Sequence, residues 1–132
     1  MNKIQYNEEQ KAFEITYKLW GNDTDVLLYV KSEQEILENL GEIAEKLDKI
    51  DRNRSKIADI IARRLRSIFA RDDGFEKTLH ISKALVDLDK DGAIVEFTVK
   101  SSDTSLKGAG IDLELSTDNS IEILGVNSSY DM

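Results

Sequence analysis

The chain has 132 residues, 40% of them hydrophobic and 33% charged, a balance that excludes both a disordered polymer and a membrane-embedded protein. Its net charge of −8, from 18 bases and 26 acids, repels phosphate backbones and anionic lipid, which argues against nucleic acid and membrane surfaces and leaves a basic protein as the partner that charge would attract. Having no cysteine, it has no disulfide, no thiol nucleophile and no cysteine-ligated zinc.

One core suffices at this length, so residues 1–132 are expected to form a single domain. The polar start, Met1 to Glu9, lacks the apolar segment of an export signal, and no apolar run has the length of a membrane span. A cytoplasmic protein is the expectation.

In residues 1–31 a hairpin is predicted. From Lys11 to Leu19 the chain alternates, with Phe13, Ile15, Tyr17 and Leu19 on one side and Glu14, Thr16 and Lys18 on the other. Trp20-Gly21-Asn22-Asp23 supplies turn residues, and Asp25 to Val30 is a second run of strand length. Trp20 beside that turn reads as a lid on the core in preference to a ligand platform.

Residues 32–71 form the helical region. Ser32 and Glu35 have the spacing of a capping box. Ile36, Leu40, Ile43, Leu47 and Ile50 make an apolar stripe that Ile57, Ile61, Leu65 and Ile68 resume after Arg54, the stripe position held by a charge. A straight helix of this length would run about 60 Å, against a diameter of roughly 36 Å for a compact domain, so a bend or break is expected at Asp51 to Ser55. One bent helix and two helices both satisfy this. The acids Glu33, Glu35, Glu38, Glu42, Glu45, Asp48 and Asp51 lie before the break, whereas Arg52 to Arg71 is basic apart from Asp59. The halves could fold back, acid against base, or run on along one axis.

Residues 75–127 read as a β-meander: Leu79 to Leu88, Ala93 to Val99, Ile111 to Leu115 and Ile121 to Val126, with a frayed tail at 128–132. Ile111, Leu113 and Leu115 alternate with Asp112 and Glu114, and Ile121 and Ile123 flank Glu122. One dry face and one wet face imply an α+β fold: an N-terminal β-hairpin, the helical region, then an antiparallel meander with the helices packed on one face.

The sharpest local motif is Asp87-Leu88-Asp89-Lys90-Asp91-Gly92-Ala93-Ile94, whose carboxylates have the first three ligand positions of an EF-hand calcium loop. Thr98 stands where the closing glutamate is needed, and both flanks read as strands. Asp-Gly between strands is equally a hairpin signal, so Asp87, Asp89 and Asp91 are either a weak calcium site or the approach to a turn. Arg63, Arg64, Arg66 and Arg71, beside Ile68 and Phe69, form a basic amphipathic segment whose apolar residues the sheet would need. His80 is the sole histidine and shows no triad spacing, and no phosphate loop, dinucleotide fingerprint or zinc-protease helix is present. An enzyme, hydrolase or transferase, would need a site assembled only on folding.

Several strings together resemble an uncharacterised bacterial family, the domain of unknown function numbered twenty-two sixty-two: the Phe13 to Trp20 strand, Ala44-Glu45-Lys46-Leu47, the Asp91-Gly92 hairpin, and Leu106 to Ile111. Family members often carry Gly-His before the strand that follows, whereas here Gly108 precedes Ala109. The resemblance implies an α+β fold and a bacterial cytoplasmic source, with no activity, cofactor or site residue to carry over. From the residues themselves the expected function is a non-enzymatic binding or regulatory module, neutralisation of a basic protein such as a toxin being its most concrete form. The alternatives are a calcium-responsive module and an enzyme.

Overall fold

The computed structural model describes residues 4–65, 74–102, 106 and 108–127. Three strands come first: β1 (Gln5–Asn7), β2 (Ala12–Leu19) and β3 (Asn22–Tyr29). Helices α1 (Glu33–Glu38), α2 (Leu40–Arg52), α3 (Arg54–Leu65) and the short α4 (Phe75–Thr78) follow, then β4 (Leu79–Asp89), β5 (Gly92–Ser101), β6 (Gly110–Leu115) and β7 (Ile121–Asn127). The strands lie in one seven-stranded sheet in sequence order. Every junction is antiparallel except β3–β4, which is parallel with Val26 beside Ala84 and Leu28 beside Val86. The hairpin and the meander are therefore halves of one mixed sheet, with the helical region as the long connection that parallel neighbours require.

Period-two alternation puts one residue set of each strand against the helices. Ile15, Val26, Ala84, Phe97 and Leu113 face the same core as Ile36, Ile43, Leu47, Ile50, Ile57 and Ile61 of the helical stripe, each of these helical residues being fully buried. α2 packs across β2 and β5, and α3 reaches α4 and β7. No described helix is long and apolar enough to cross a membrane.

The helical stretch breaks at both Asn39 and Asn53, the second inside the expected hinge. The two breaks are built alike. Asn53 N–H shortens its bond to reach Ile50 O, 3.2 Å away, while its side-chain amide takes the Lys49 carbonyl four residues back at 2.5 Å. Asn39 N–H likewise reaches Ile36 O, and its amide donates to Glu35 O at 2.8 Å. At Asn53 the side chain satisfies the carbonyl that the kink would orphan, whereas at Asn39 it adds a second donor to Glu35 O, which the backbone N–H also reaches at 3.2 Å. α2 and α3 pack on the sheet and on α4 and not face to face on each other, and among the described residues no acid of α1 or α2 is ion-paired with a base of α3. Ser32 Oγ caps Glu35 N–H at 3.2 Å, and Glu35 reaches back to the N–H of Lys31, one residue short of a standard capping box.

Side-chain anchors fix the helices to the loops. The β2–β3 connection is the two-residue turn Trp20-Gly21, with φ of 52° and 84°, the left-handed pair that a tight hairpin turn takes. Trp20 pays for that conformation with contacts: its backbone N–H donates to Asp51 Oδ1 at 2.6 Å and its indole N–H to Ile50 O at 3.0 Å. The expected lid is thereby pinned to the α2–α3 break. Lys46 is 5% exposed, and its ammonium donates to Ser116 O, Thr117 O and Asn119 Oδ1 at 2.7, 3.2 and 2.8 Å. Every proton of that buried cation is accepted by the β6–β7 loop. In the same loop, hydrogen bonds from Ser116 and Ser120 hold the Asp118 carboxyl down to about 2.

Two anchors lead to predictions. Gly92 has φ of +131°, and a Cβ there would lie 2.5 Å from Glu42 Oε2, the oxygen that accepts Ala93 N–H at 2.6 Å. Gly92→Ala is expected to destabilise by roughly 1–3 kcal/mol in urea titration, with less than additive loss in the Glu42→Ala background. A loss that adds fully would show that Glu42 plays no part in excluding the side chain.

Burial, reinforced by the 2.5 Å hydrogen bond to Asp48 Oδ1, pushes the Tyr17 hydroxyl up to about 12 from 10.0. A phenol raised on folding contributes stability that is complete below the unfolded value and is lost as pH rises through the folded one. Melting temperature is therefore expected to fall between about pH 10 and 12, and Tyr17→Phe to flatten that fall, as thermal scans at stepped alkaline pH will read.

Candidate functional site

The residues of each strand that do not face the helices make up an open sheet face. Cross-strand register sets them in rows. Leu27 stands beside Leu85, Leu85 beside Glu96, Glu96 beside Glu114, and Glu114 beside Glu122. Three glutamates on consecutive strands are thus direct neighbours. The next row sets Lys83 beside Thr98, Thr98 beside Asp112 and Asp112 beside Gly125. Asp112 is held by neutral donors, with Thr98 Oγ1 at 2.6 Å and the Asn127 amide on its other oxygen. Lys83 follows a bulge at Ser82 that separates it from the regular pairing of Ile81.

Three adjoining open depressions, of about 300, 430 and 340 Å³, cover this face, and Lys83 lines all three. Glu14, Asp25, Glu96 and Asp112 line them as well, so four carboxylates meet two ammonium groups there, Lys83 and Lys100, with Glu114 and Glu122 continuing the row beyond. Neither lysine is ion-paired among the described residues. Apolar surface accompanies the charge: Leu124, 51% exposed, lines one depression from the β7 side, and Tyr29, 38% exposed, lines another together with Leu27. Such a face can hold a cationic chain with apolar side chains, by charge and by area.

The aspartates singled out by sequence stand apart from this row. Asp87 lies between Tyr29 and Ile94 across the sheet, Asp89 pairs with Gly92, and Lys90-Asp91 is a two-residue connection. Asp89 turns its carboxylate onto its neighbour's backbone, accepting Lys90 N–H at 2.6 Å. The hairpin reading thus describes the segment, with the turn centred one residue before the Asp-Gly pair. Among the described residues no group of three histidine, aspartate and glutamate side chains is placed to hold a metal ion.

His80 lies at the start of β4, opposite Lys100, and its side chain makes no hydrogen bond among the described residues. Arg63 pairs with Asp59 at 3.0 Å on the exposed side of α3, and Arg64 is exposed. Arg66, Ile68, Phe69 and Arg71 lie outside the described residues, as does the 128–132 tail. Sequence reading placed Glu114 and Glu122 on the wet side of their strands but missed their meeting with Glu96. Alternation assigns a face and leaves the partner strand and register open.

Comparison with family models, with curated proteins and with solved structures returns no match. The chain's own residues are therefore the whole basis for its function.

Because the three aspartates are spread over a strand and a turn, millimolar calcium is expected to leave the melting temperature unchanged, in the wild type and in Asp89→Asn alike. A calcium-dependent rise that disappears in Asp89→Asn would establish a site there.

Proposed function

We propose that the chain is a non-enzymatic, cytoplasmic binding module that receives a basic protein segment on the open face of its sheet. Neutralisation of a basic protein such as a toxin is its most concrete form. The observation that supports this most is the Glu96–Glu114–Glu122 row. Like charges directly opposite each other across strands destabilise a sheet by roughly 0.2–1 kcal/mol per pair, and among the described residues no base is ion-paired with these three. A cationic segment laid across β5, β6 and β7 would relieve both repulsions at once. Leu85, Leu124 and Tyr29 would add the apolar contact that an interface of charge alone lacks.

The reading makes stability and binding move in opposite directions at one residue. Glu114 stands between the other two glutamates, so Glu114→Gln is expected to raise the melting temperature by about 2–4 °C. The same change is expected to weaken binding of a lysine- and arginine-rich peptide, in the wild type an interaction that salt abolishes. Equal affinity of the two proteins for the peptide, or affinity insensitive to salt, would refute the assignment.

A further inference from the structure

Another depression, apart from the three on the open face, carries charge of the opposite sign. It lies at the end of the sheet where β4 begins, measures about 270 Å³, and is lined by Asn22, Arg54, Lys77, Thr78, His80 and Ser102, with Leu79 between them. No carboxylate lines it among the described residues, although the chain has 26 acids and each of the three depressions on the open face contains at least one. The lining groups are instead hydrogen-bond donors, two of them permanent cations and one an imidazole.

Arg54 is the fixed member. Its Nη2 donates to Leu79 O at 2.7 Å and Lys77 O at 3.2 Å, and its guanidinium lies 5.5 Å from the centre of the Trp20 ring. These contacts explain a charge in the apolar stripe, but they do not neutralise it. Arg54 has no ion pair among the described residues, and its Nε is buried without an acceptor. Nearby, the Lys77 and His80 side chains make neither hydrogen bond nor ion pair among the described residues. A half-buried guanidinium without a counter-charge is a cost that a bound anion would offset.

We propose that Arg54, Lys77 and His80 form a binding site for a phosphate-type oxyanion. The rigid guanidinium supplies a preorganised planar donor set, and the lysine a mobile point charge. Asn22 and Ser102 add neutral donors at the rim. The site shares no lining residue with the depressions of the acidic face, although His80 stands opposite Lys100 of that face, and either reading could fail without the other.

Because His80 is the sole histidine, its ring C–H resonances in NMR report this depression alone. Titrating the full chain with inorganic phosphate at constant ionic strength is expected to shift them saturably, while chloride and acetate do not. Lys77→Gln is expected to weaken the affinity about tenfold at unchanged melting temperature, the loss of one charge-assisted contact. Trp20 fluorescence, beneath the guanidinium, gives an independent reading and serves His80→Asn, which is expected to weaken binding as well. A shift that does not saturate, an equal response to chloride or acetate, or an unchanged affinity in Lys77→Gln overturns the site.

Discussion

Parallel pairing of β3 with β4 is the constraint on which the rest of this molecule depends. Two parallel neighbours cannot be joined by a tight turn, so the chain must leave the sheet after Tyr29 and travel back before Leu79 can begin. Residues 30–78 make that journey, and because α1, α2 and α3 carry their apolar stripe onto the sheet, one face of it is covered and the other left open. The two asparagine breaks follow from the same requirement. A straight rod would leave the sheet behind, whereas a helix kinked at Asn39 and Asn53 keeps Ile36, Leu47 and Ile57 over successive parts of one core.

The open face and the end of the sheet then differ in how charge is handled. On the face, carboxylates accumulate in register, and two lysines without an ion pair among the described residues stand among them. At the end, an arginine is held by carbonyls and an indole ring in a setting free of described carboxylates. Charge of one sign gathered on a sheet, and of the other sign under a turn, means that net charge describes neither surface. The total of −8 says what the molecule does at long range, while close recognition is set by these two local fields.

Much of the architecture could be read from the residues. Alternation in Phe13 to Leu19 and Ile111 to Leu115, the Ser32 cap, the stripe from Ile36 to Ile61 and the break near Asn53 are all local signals. What could not be read is pairing across distance. β1 is three residues long and carries no periodicity of its own, existing because β2 offers it an edge. The parallel junction leaves no mark in either strand, since Val26 to Leu28 and Ala84 to Val86 look the same whichever way they run. Arg54 illustrates a different limit. A charge in an apolar stripe is visible at once, but its reason, the carbonyls of Lys77 and Leu79 and the ring of Trp20, comes from segments more than 20 residues away. The Glu96–Glu114–Glu122 row was hidden for the same cause, each glutamate being ordinary alone.

Lys46 bears on the order in which the chain can be completed. Its ammonium sits in the interior and is satisfied only by oxygens 70 to 73 residues further along. Until the β6–β7 loop has formed, docking α2 on the sheet would bury a cation without acceptors, at a cost of several kcal/mol. The β6–β7 loop is in this sense a latch: α2 can be seated without penalty only when that loop is in place to accept the ammonium. The seat of a helix from the middle of the chain is thus completed by one of the latest described elements, which ties the stability of α2 to that of the β6–β7 hairpin.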